Sequence, residues 1–193
     1  MSRLASWRVV IVSGVLLVAF AGVFFASSAP FAVPSVENTC GAPPLDVRPY
    51  STADDVNRFL DECGNAGRSA YRDLQLADLV YPAVFGLFMA SALALALEHL
   101  SPQRPALIGL AAIALAGSGF DYLENLFAWR ALVAYPDPVA TNSLLGLASA
   151  AKTASFWIAG LLLMASTTAL IGRAVRRRHP TPADQPGDNR VAV

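Results

Sequence analysis

Residues 106–133 read ALIGLAAIALAGSGFDYLENLFAWRALV, an apolar stretch of membrane-spanning length with acidic and amide side chains near its middle. Spanning the hydrocarbon core of a bilayer takes about 20 mostly apolar residues. Further stretches that meet this length are residues 9–28, 76–98 and 144–172. Of the 193 residues in the chain, 55% are hydrophobic and 15% charged, whereas soluble domains carry about 25% charged residues. The sequence therefore predicts an all-α, multi-pass membrane protein.

The connections between the apolar segments predict how the helices are arranged. Residues 99–105 and 134–143 are short, proline-containing hairpins. The second, third and fourth segments are therefore expected to be antiparallel neighbours, which gives an up-and-down four-helix transmembrane bundle. The second segment is expected to continue a helix that begins near Arg68 and enters the membrane unbroken, with a kink at Pro82.

Basic residues are distributed unevenly around the apolar segments. They cluster at the N-terminus (residues 1–8), in the second connection and after the fourth segment: Arg3, Arg8, Arg104, Arg173, Arg176, Arg177 and Arg178. Because Lys and Arg collect on the cytoplasmic side, we expect both termini in the cytoplasm and the protein in the plasma or inner membrane. Residues 29–75 then lie outside. Residues 173–193 are expected to form a basic stretch and a disordered cytoplasmic tail.

The first apolar segment also has features of a signal peptide, namely a basic start and small residues before Pro30. Its apolar run exceeds the usual length of about 7–15 residues. Pro30 also disfavours cleavage after Ala29. We therefore expect a retained helix, with cleavage after Ser28 as the alternative.

Both cysteines, Cys40 and Cys63, fall in the outer segment. An oxidising compartment favours a disulfide between them, and the absence of a C-x-x-C motif argues against a redox pair. A short helix is predicted at about residues 52–62, where Thr52 or the serine before it can serve as the N-cap. The disulfide would tie this helix to the proline-rich loop before it, as a small cap over the outer end of the bundle.

The polar side chains of the third segment share one face of a helix. Asp121, Glu124 and Asn125 are spaced i, i+3, i+4, and they lie about 12–18 Å below the outer end of their segment. Lys152 lies about 12 Å below the outer end of the fourth segment, so an intramembrane salt bridge is predicted. The other candidate members of this polar cluster are Asp78, Tyr122 and Ser149.

The charges in the outer half of the bundle do not balance. Asp78, Asp121 and Glu124 face the cations Lys152 and Arg130, and a buried carboxylate without a counter-charge takes up a proton or binds a cation. The first hypothesis is therefore an outward-facing pocket for a small cationic or amphipathic ligand or a lipid headgroup. The alternatives are a structural or interaction subunit, in which the cluster is a helix-packing salt bridge, and a component of a proton- or ion-coupled transporter.

The sequence contains no motif for catalysis, metal binding or cofactor binding. Gly-rich phosphate loops, H-x-x-x-H spacing and G-x-S-x-G are absent. We therefore expect no cofactor, no metal ligand, no catalytic residue and no nucleic-acid partner. An enzymatic activity is not favoured, although paired carboxylates with a lysine leave intramembrane acid–base chemistry open as an alternative. The expected partners are membrane lipid, a small-molecule ligand, and either another membrane protein or a second copy of this chain.

Overall fold

The computed structural model describes residues 5–178, and its regular elements are helices. In chain order these are α1 (Trp7–Ala26), α2 (Val33–Cys40), α3 (Ala53–Glu62), α4 (Gly64–Ala77), α5 (Tyr81–Leu100), α6 (Ala112–Ala134) and α7 (Asn142–Arg178). Short 3-10 helices lie at Leu45–Val47 and Pro105–Ala111. No β-strand occurs between residues 5 and 178, which confirms the all-α class.

Four helices of the described chain are long and apolar enough to cross a membrane, as the sequence predicted. They are Trp7–Ala26, Gly64–Leu100, Pro105–Ala134 and Asn142–Arg177. Large apolar side chains on their surfaces remain exposed, for example Val18 at 73% and Trp157 at 69%, and extensive apolar surface of this kind is typical of a membrane contact. Residues 173–178 continue α7. The rest of the tail, residues 179–193, lies outside the described residues.

Small side chains set the spacing of α5, α6 and α7 in the half of the molecule remote from the disulfide. Ala114 and Ala159 are fully buried there. Gly86 of α5 lies so close to α6 that a Cβ atom on it would come within 1.9 Å of the Ser118 hydroxyl oxygen. That hydroxyl donates to the Pro82 carbonyl at 2.7 Å. Close helix approach through small residues, with a hydroxyl bonding across the contact, is how apolar helices associate in lipid.

Residues 29–63, which lie between α1 and α4, form what we call the outer cap. Its Cys40–Cys63 disulfide is present, which confirms the predicted pairing. The bridge rests on α4 at Gly67, where a Cβ atom would come within 2.8 Å of the Cys40 sulfur. The apolar side chains of the cap are buried with those of α4, so the disulfide and this packing together fix the cap on α4.

A capping box begins helix α3 of the outer cap. The Thr52 side chain accepts a hydrogen bond from the Asp55 backbone N–H, and the Asp55 carboxylate accepts one from the Thr52 backbone N–H. Hydrogen bonds from Thr52 therefore lower the pKa of the Asp55 carboxyl. The N-terminal turns of α7 pack against this part of the cap: the Asn142 amide donates to Asn57 at 2.8 Å, and Gly146 lies against the Ser51 carbonyl.

Helices α4 and α5 are separated by one turn, residues 78–80, where an unbroken helix was expected. Pro82 has no N–H to donate to the Asp78 carbonyl four residues earlier. The neighbouring carbonyl, that of Leu79, accepts a hydrogen bond from the Tyr122 hydroxyl of α6 at 2.9 Å. The expected span with a kink near Pro82 is thus present as the single apolar helix Gly64–Leu100. Its regular hydrogen bonding is interrupted at residues 78–80, which leaves Asp78 buried at the end of α4.

Gly86→Ala is expected to lower the free energy of unfolding by about 1–3 kcal/mol, the usual cost of adding volume to a packed interior. The matched control is Gly119→Ala on α6, where a Cβ atom meets nothing within 4 Å. Because alanine favours a helix more than glycine does, Gly119→Ala should be neutral or stabilising. Unfolding of both variants in detergent micelles measures the difference, and equal stabilities would contradict the close contact at Gly86.

Candidate functional site

The ammonium group of Lys152 is the centre of the candidate site. It forms ion pairs with Glu124 and with Asp121, the latter at 3.3 Å between Nζ and Oδ1. Its third contact is the backbone carbonyl of Asp46 in the outer cap, at 2.8 Å. Lys152 therefore contacts three oxygens, two from carboxylates of α6 and one from the cap. The predicted salt bridge between α6 and α7 is therefore present, and a residue of the cap completes it.

Small residues allow α6 and α7 to approach closely enough for these contacts. A Cβ atom on Gly117 of α6 would come within 2.8 Å of the Phe156 ring of α7. Ser149 is fully buried one turn before Lys152, and its hydroxyl donates to the Glu124 carboxylate. Glu124 is fully buried as well. Its carboxylate is thus held by a hydroxyl and an ammonium group from the same face of α7.

Asp78 and Asn125 form a second buried contact beside the Lys152 ion pairs. The Asn125 side-chain amide donates to the Asp78 carboxylate at 2.7 Å, and the two residues are 5% and 6% exposed, respectively. Among residues 5–178, no basic side chain lies within salt-bridge distance of Asp78. An amide satisfies part of the hydrogen-bonding capacity of a carboxylate but does not neutralise its charge.

Asp46 is the site residue that the sequence reasoning missed. It lies in the short 3-10 helix of the cap, with Oδ1 accepting hydrogen bonds from the Tyr71 hydroxyl at 2.9 Å and the Gln75 amide at 2.7 Å. Its Oδ2 is buried and has no donor in the described part of the chain. Burial raises the pKa of the Asp46 carboxyl above its ordinary value of 3.8, and the Lys152 ammonium and the two hydrogen bonds offset part of that effect. The available signal was a single acid in the apolar stretch APPLDVRP, residues 42–49.

A cavity of about 50 Å³ lies between the cap and the helices. Its charged lining residues are Asp46, Asp78, Asp121 and Lys152, and its aromatic lining residues are Phe24, Phe25 and Tyr81. The Tyr81 ring stacks on Phe24 with ring centroids 6.0 Å apart. One water molecule needs about 10–15 Å³ of such space, so the cavity has room for only a few groups of that size.

The structure places most of the predicted cluster together but covers its expected outer opening. The predicted residues in mutual contact or lining the same cavity are Asp78, Asp121, Glu124, Asn125, Ser149 and Lys152. Tyr122 lies apart from them, 39% exposed, with its hydroxyl on the Leu79 carbonyl. Arg130 is exposed and forms no ion pair with any described residue. The cap contributes Asp46 and Val47 to the lining of the cavity beside the cluster, and the Asp46 carbonyl contacts Lys152.

We call Asp46, Asp78, Asp121 and Glu124, together with Lys152, the acid cluster. Its acids outnumber its cation, and it lies in a region of low exposure. No group of His, Cys, Asp or Glu within residues 5–178 has the arrangement of a metal site. Chemically, the acid cluster can hold protons or accept hydrogen bonds from a small cation, because its free capacity consists of carboxylate oxygens.

Lys152→Met is expected to destabilise the protein more than Glu124→Gln does. Methionine leaves Glu124 and Asp121 without their counter-charge, and removing one partner of a buried ion pair typically costs about 3–5 kcal/mol. Glutamine keeps a hydrogen-bonding side chain at position 124 and leaves Lys152 in contact with Asp121 and the Asp46 carbonyl. Chemical unfolding in micelles compares the two, and equal losses would show that only the Glu124 contact stabilises the fold.

Asp46→Asn is expected to flatten the dependence of stability on pH. Because the folded-state pKa of Asp46 is raised, the stabilisation from this group is full below its ordinary value of 3.8 and is lost as the pH rises through the folded pKa. Asparagine does not ionise and keeps an acceptor for Tyr71 and Gln75. Between about pH 4 and 8, the melting temperature of Asp46→Asn should therefore fall less than that of the wild type. Asp73→Asn, at an exposed position of α4, is the control and should keep the wild-type slope. A wild-type slope in Asp46→Asn would contradict the assignment.

Comparisons with known proteins provide no residue roles to transfer to this site. Neither a protein-family model, nor a curated protein, nor a solved structure matches the chain. The function proposed next therefore rests on the contacts, burial and charges of the residues described above.

Proposed function

We propose that this chain is a small multi-pass membrane protein that binds a small cation with N–H donors, ammonium or a primary alkylammonium ion, at the acid cluster. In this proposal the four apolar helices form an up-and-down bundle with both termini in the cytoplasm. The outer cap faces the opposite side and covers the site. The cation occupies the cavity beside Asp46, Asp78 and Asp121.

The observation that carries the proposal is the excess of buried acid over buried base. Among residues 5–178, the only ammonium group in contact with the acid cluster is that of Lys152, and it already contacts two carboxylates and the Asp46 carbonyl. Asp78 has no contacting cation, and Asp46 Oδ2 has no donor, among residues 5–178. An uncompensated buried charge is costly, so a site of this composition favours an additional positive group.

The lining of the cavity favours a small ammonium ion in particular. Carboxylate oxygens accept N–H hydrogen bonds, and the rings of Phe24, Phe25 and Tyr81 line the same cavity. Aromatic faces attract ammonium ions. A volume of about 50 Å³ accepts an ion close to water in size, whereas a quaternary ammonium or a lipid headgroup needs more space than the covered cavity provides.

Thermal unfolding of the purified protein in micelles, at constant ionic strength, tests this proposal. Ammonium and methylammonium chloride should raise the melting temperature relative to sodium chloride, by about 5 °C or more at a hundredfold excess over the dissociation constant. Tetramethylammonium should give no such rise because it exceeds the cavity. Asp78→Asn should abolish the rise, since it removes an acid that lines the cavity.

The control variant is again Asp73→Asn, which changes an exposed acid on the same helix as Asp78. It should respond to ammonium as the wild type does. If ammonium and sodium gave the same melting temperature for the wild type, the acid cluster would not be a cation site. An ammonium response that persisted in Asp78→Asn would place the bound ion elsewhere.

The second candidate function is structural: the acid cluster is a clamp that holds the cap and the helices together within a membrane complex. The supporting observation is that Lys152 is already satisfied by groups from two other parts of the chain, the cap and α6. Such a clamp fixes helix register without any ligand. A wild type that ignores ammonium but loses its cap–helix contacts in Lys152→Met, seen as faster proteolysis of the cap, would favour this function.

A further inference from the structure

A groove of about 430 Å³ lies between α4 and α6 at the disulfide end of the molecule, separate from the acid cluster. The α4 side is polar and includes Arg68, Ser69 and Arg72. The α6 side is largely apolar and includes Trp129 and Val133. We call this the outer groove. Its two sides differ in polarity, which is the pattern expected where headgroups meet hydrocarbon.

The two arginines of the outer groove share one face of α4, because they are four residues apart. Arg68 is held in place: its guanidinium lies 4.0 Å from the centre of the Tyr135 ring and donates to the Leu60 carbonyl at 2.7 Å. Arg72 is exposed and has no hydrogen-bond or ion-pair partner among residues 5–178. The groove therefore presents one fixed and one free guanidinium group to an anion, and guanidinium groups bind phosphate oxygens well.

Arg68 and Arg72 lie on a side of the membrane where basic residues are unexpected. In the topology proposed above, α4 lies on the outer side, where basic residues next to a membrane span are depleted. Arg68 and Arg72 lie close to the apolar length of α5 nevertheless. A bound phosphate group would supply a counter-charge for both residues on that side.

A second, apolar groove of about 330 Å³ adjoins the first through Trp129, which lines both. Its apolar lining includes Leu76, Leu79 and Leu126. Leu76 and Leu79 follow Arg72 along the chain towards the membrane, a distance of about 10 Å from Arg72 to Leu79 at the helical rise. A charged groove continued by an apolar one matches a molecule with an anionic head and a hydrocarbon chain.

We propose that these adjoining grooves bind an anionic phospholipid, with its phosphate between Arg68 and Arg72 and one acyl chain along Leu76, Leu79 and Leu126. The two arginines favour an anionic headgroup over a neutral one. The apolar groove favours a lipid over a free anion because it can hold an acyl chain. The bound lipid would contact both α4, at its end near the cap, and α6.

This site shares no acid with the acid cluster, although Gln75 and Asn125, which hydrogen-bond to Asp46 and Asp78, also line the apolar groove. The lipid proposal rests on the topology of the proposed function but not on its cation site, so a failed ammonium response would not overturn it.

Native mass spectrometry and thermal unfolding in micelles test the lipid site with three probes: dioleoyl phosphatidylglycerol, dioleoyl phosphatidylcholine and inorganic phosphate. Phosphatidylglycerol should remain bound and raise the melting temperature more than phosphatidylcholine does. Arg72→Gln should weaken its binding about fivefold, the effect of one basic residue near an anionic surface. Arg72 is exposed and without partners in the described chain, so the variant should fold normally.

Two matched pairs of variants locate the site. Arg130→Gln removes another exposed arginine that does not line the outer groove, and it should bind phosphatidylglycerol as the wild type does. Leu126→Trp should fill the apolar groove and weaken binding. Leu123→Trp, at a similarly exposed position of α6 outside that groove, should not. Equal retention of the two lipids, an unchanged preference in Arg72→Gln, or stabilisation by inorganic phosphate equal to that by phosphatidylglycerol would each overturn the proposal.

Discussion

The ammonium group of Lys152 joins parts of the chain that are far apart in sequence. Two carboxylates of α6 and one backbone carbonyl of the outer cap converge on it from different directions. In a region shielded from water, a group of this kind tolerates little displacement, because an unpaired charge there is costly. Lys152 therefore sets the register of α7 against α6 and the depth to which the cap enters the bundle.

The α6–α7 part of this arrangement could be predicted from the sequence because it follows from local rules. A helix rises by a constant amount per residue, and a short hairpin makes consecutive helices neighbours. Counting residues from the outer ends of the third and fourth apolar segments therefore places Lys152 at the depth of Glu124. The Cys40–Cys63 pairing was predictable for a similar reason, since both cysteines lie in one segment between apolar helices.

Asp46 and the turn at residues 78–80 could not be predicted in this way. The cap segment around Asp46 has no helical or strand periodicity from which to count, and its depth is set by the disulfide on α4 and by the burial of Leu45. Pro82 was visible in the sequence and suggested a kink. The structure has a turn at residues 78–80, where the Leu79 carbonyl accepts a hydrogen bond from the Tyr122 hydroxyl of another helix. Both outcomes depend on tertiary contacts.

Asp46 links the position of the cap to the proposed cation site. Its carbonyl holds the Lys152 ammonium, and its carboxyl lines the cavity. Displacing the cap would therefore break the Lys152 contact and remove one acid from the cation site in the same movement. A ligand shifts a conformational equilibrium only by its difference in affinity between the two states. In the proposed function the cation site is complete only when the cap is in place, so cation binding and docking of the cap are coupled by one shared free energy.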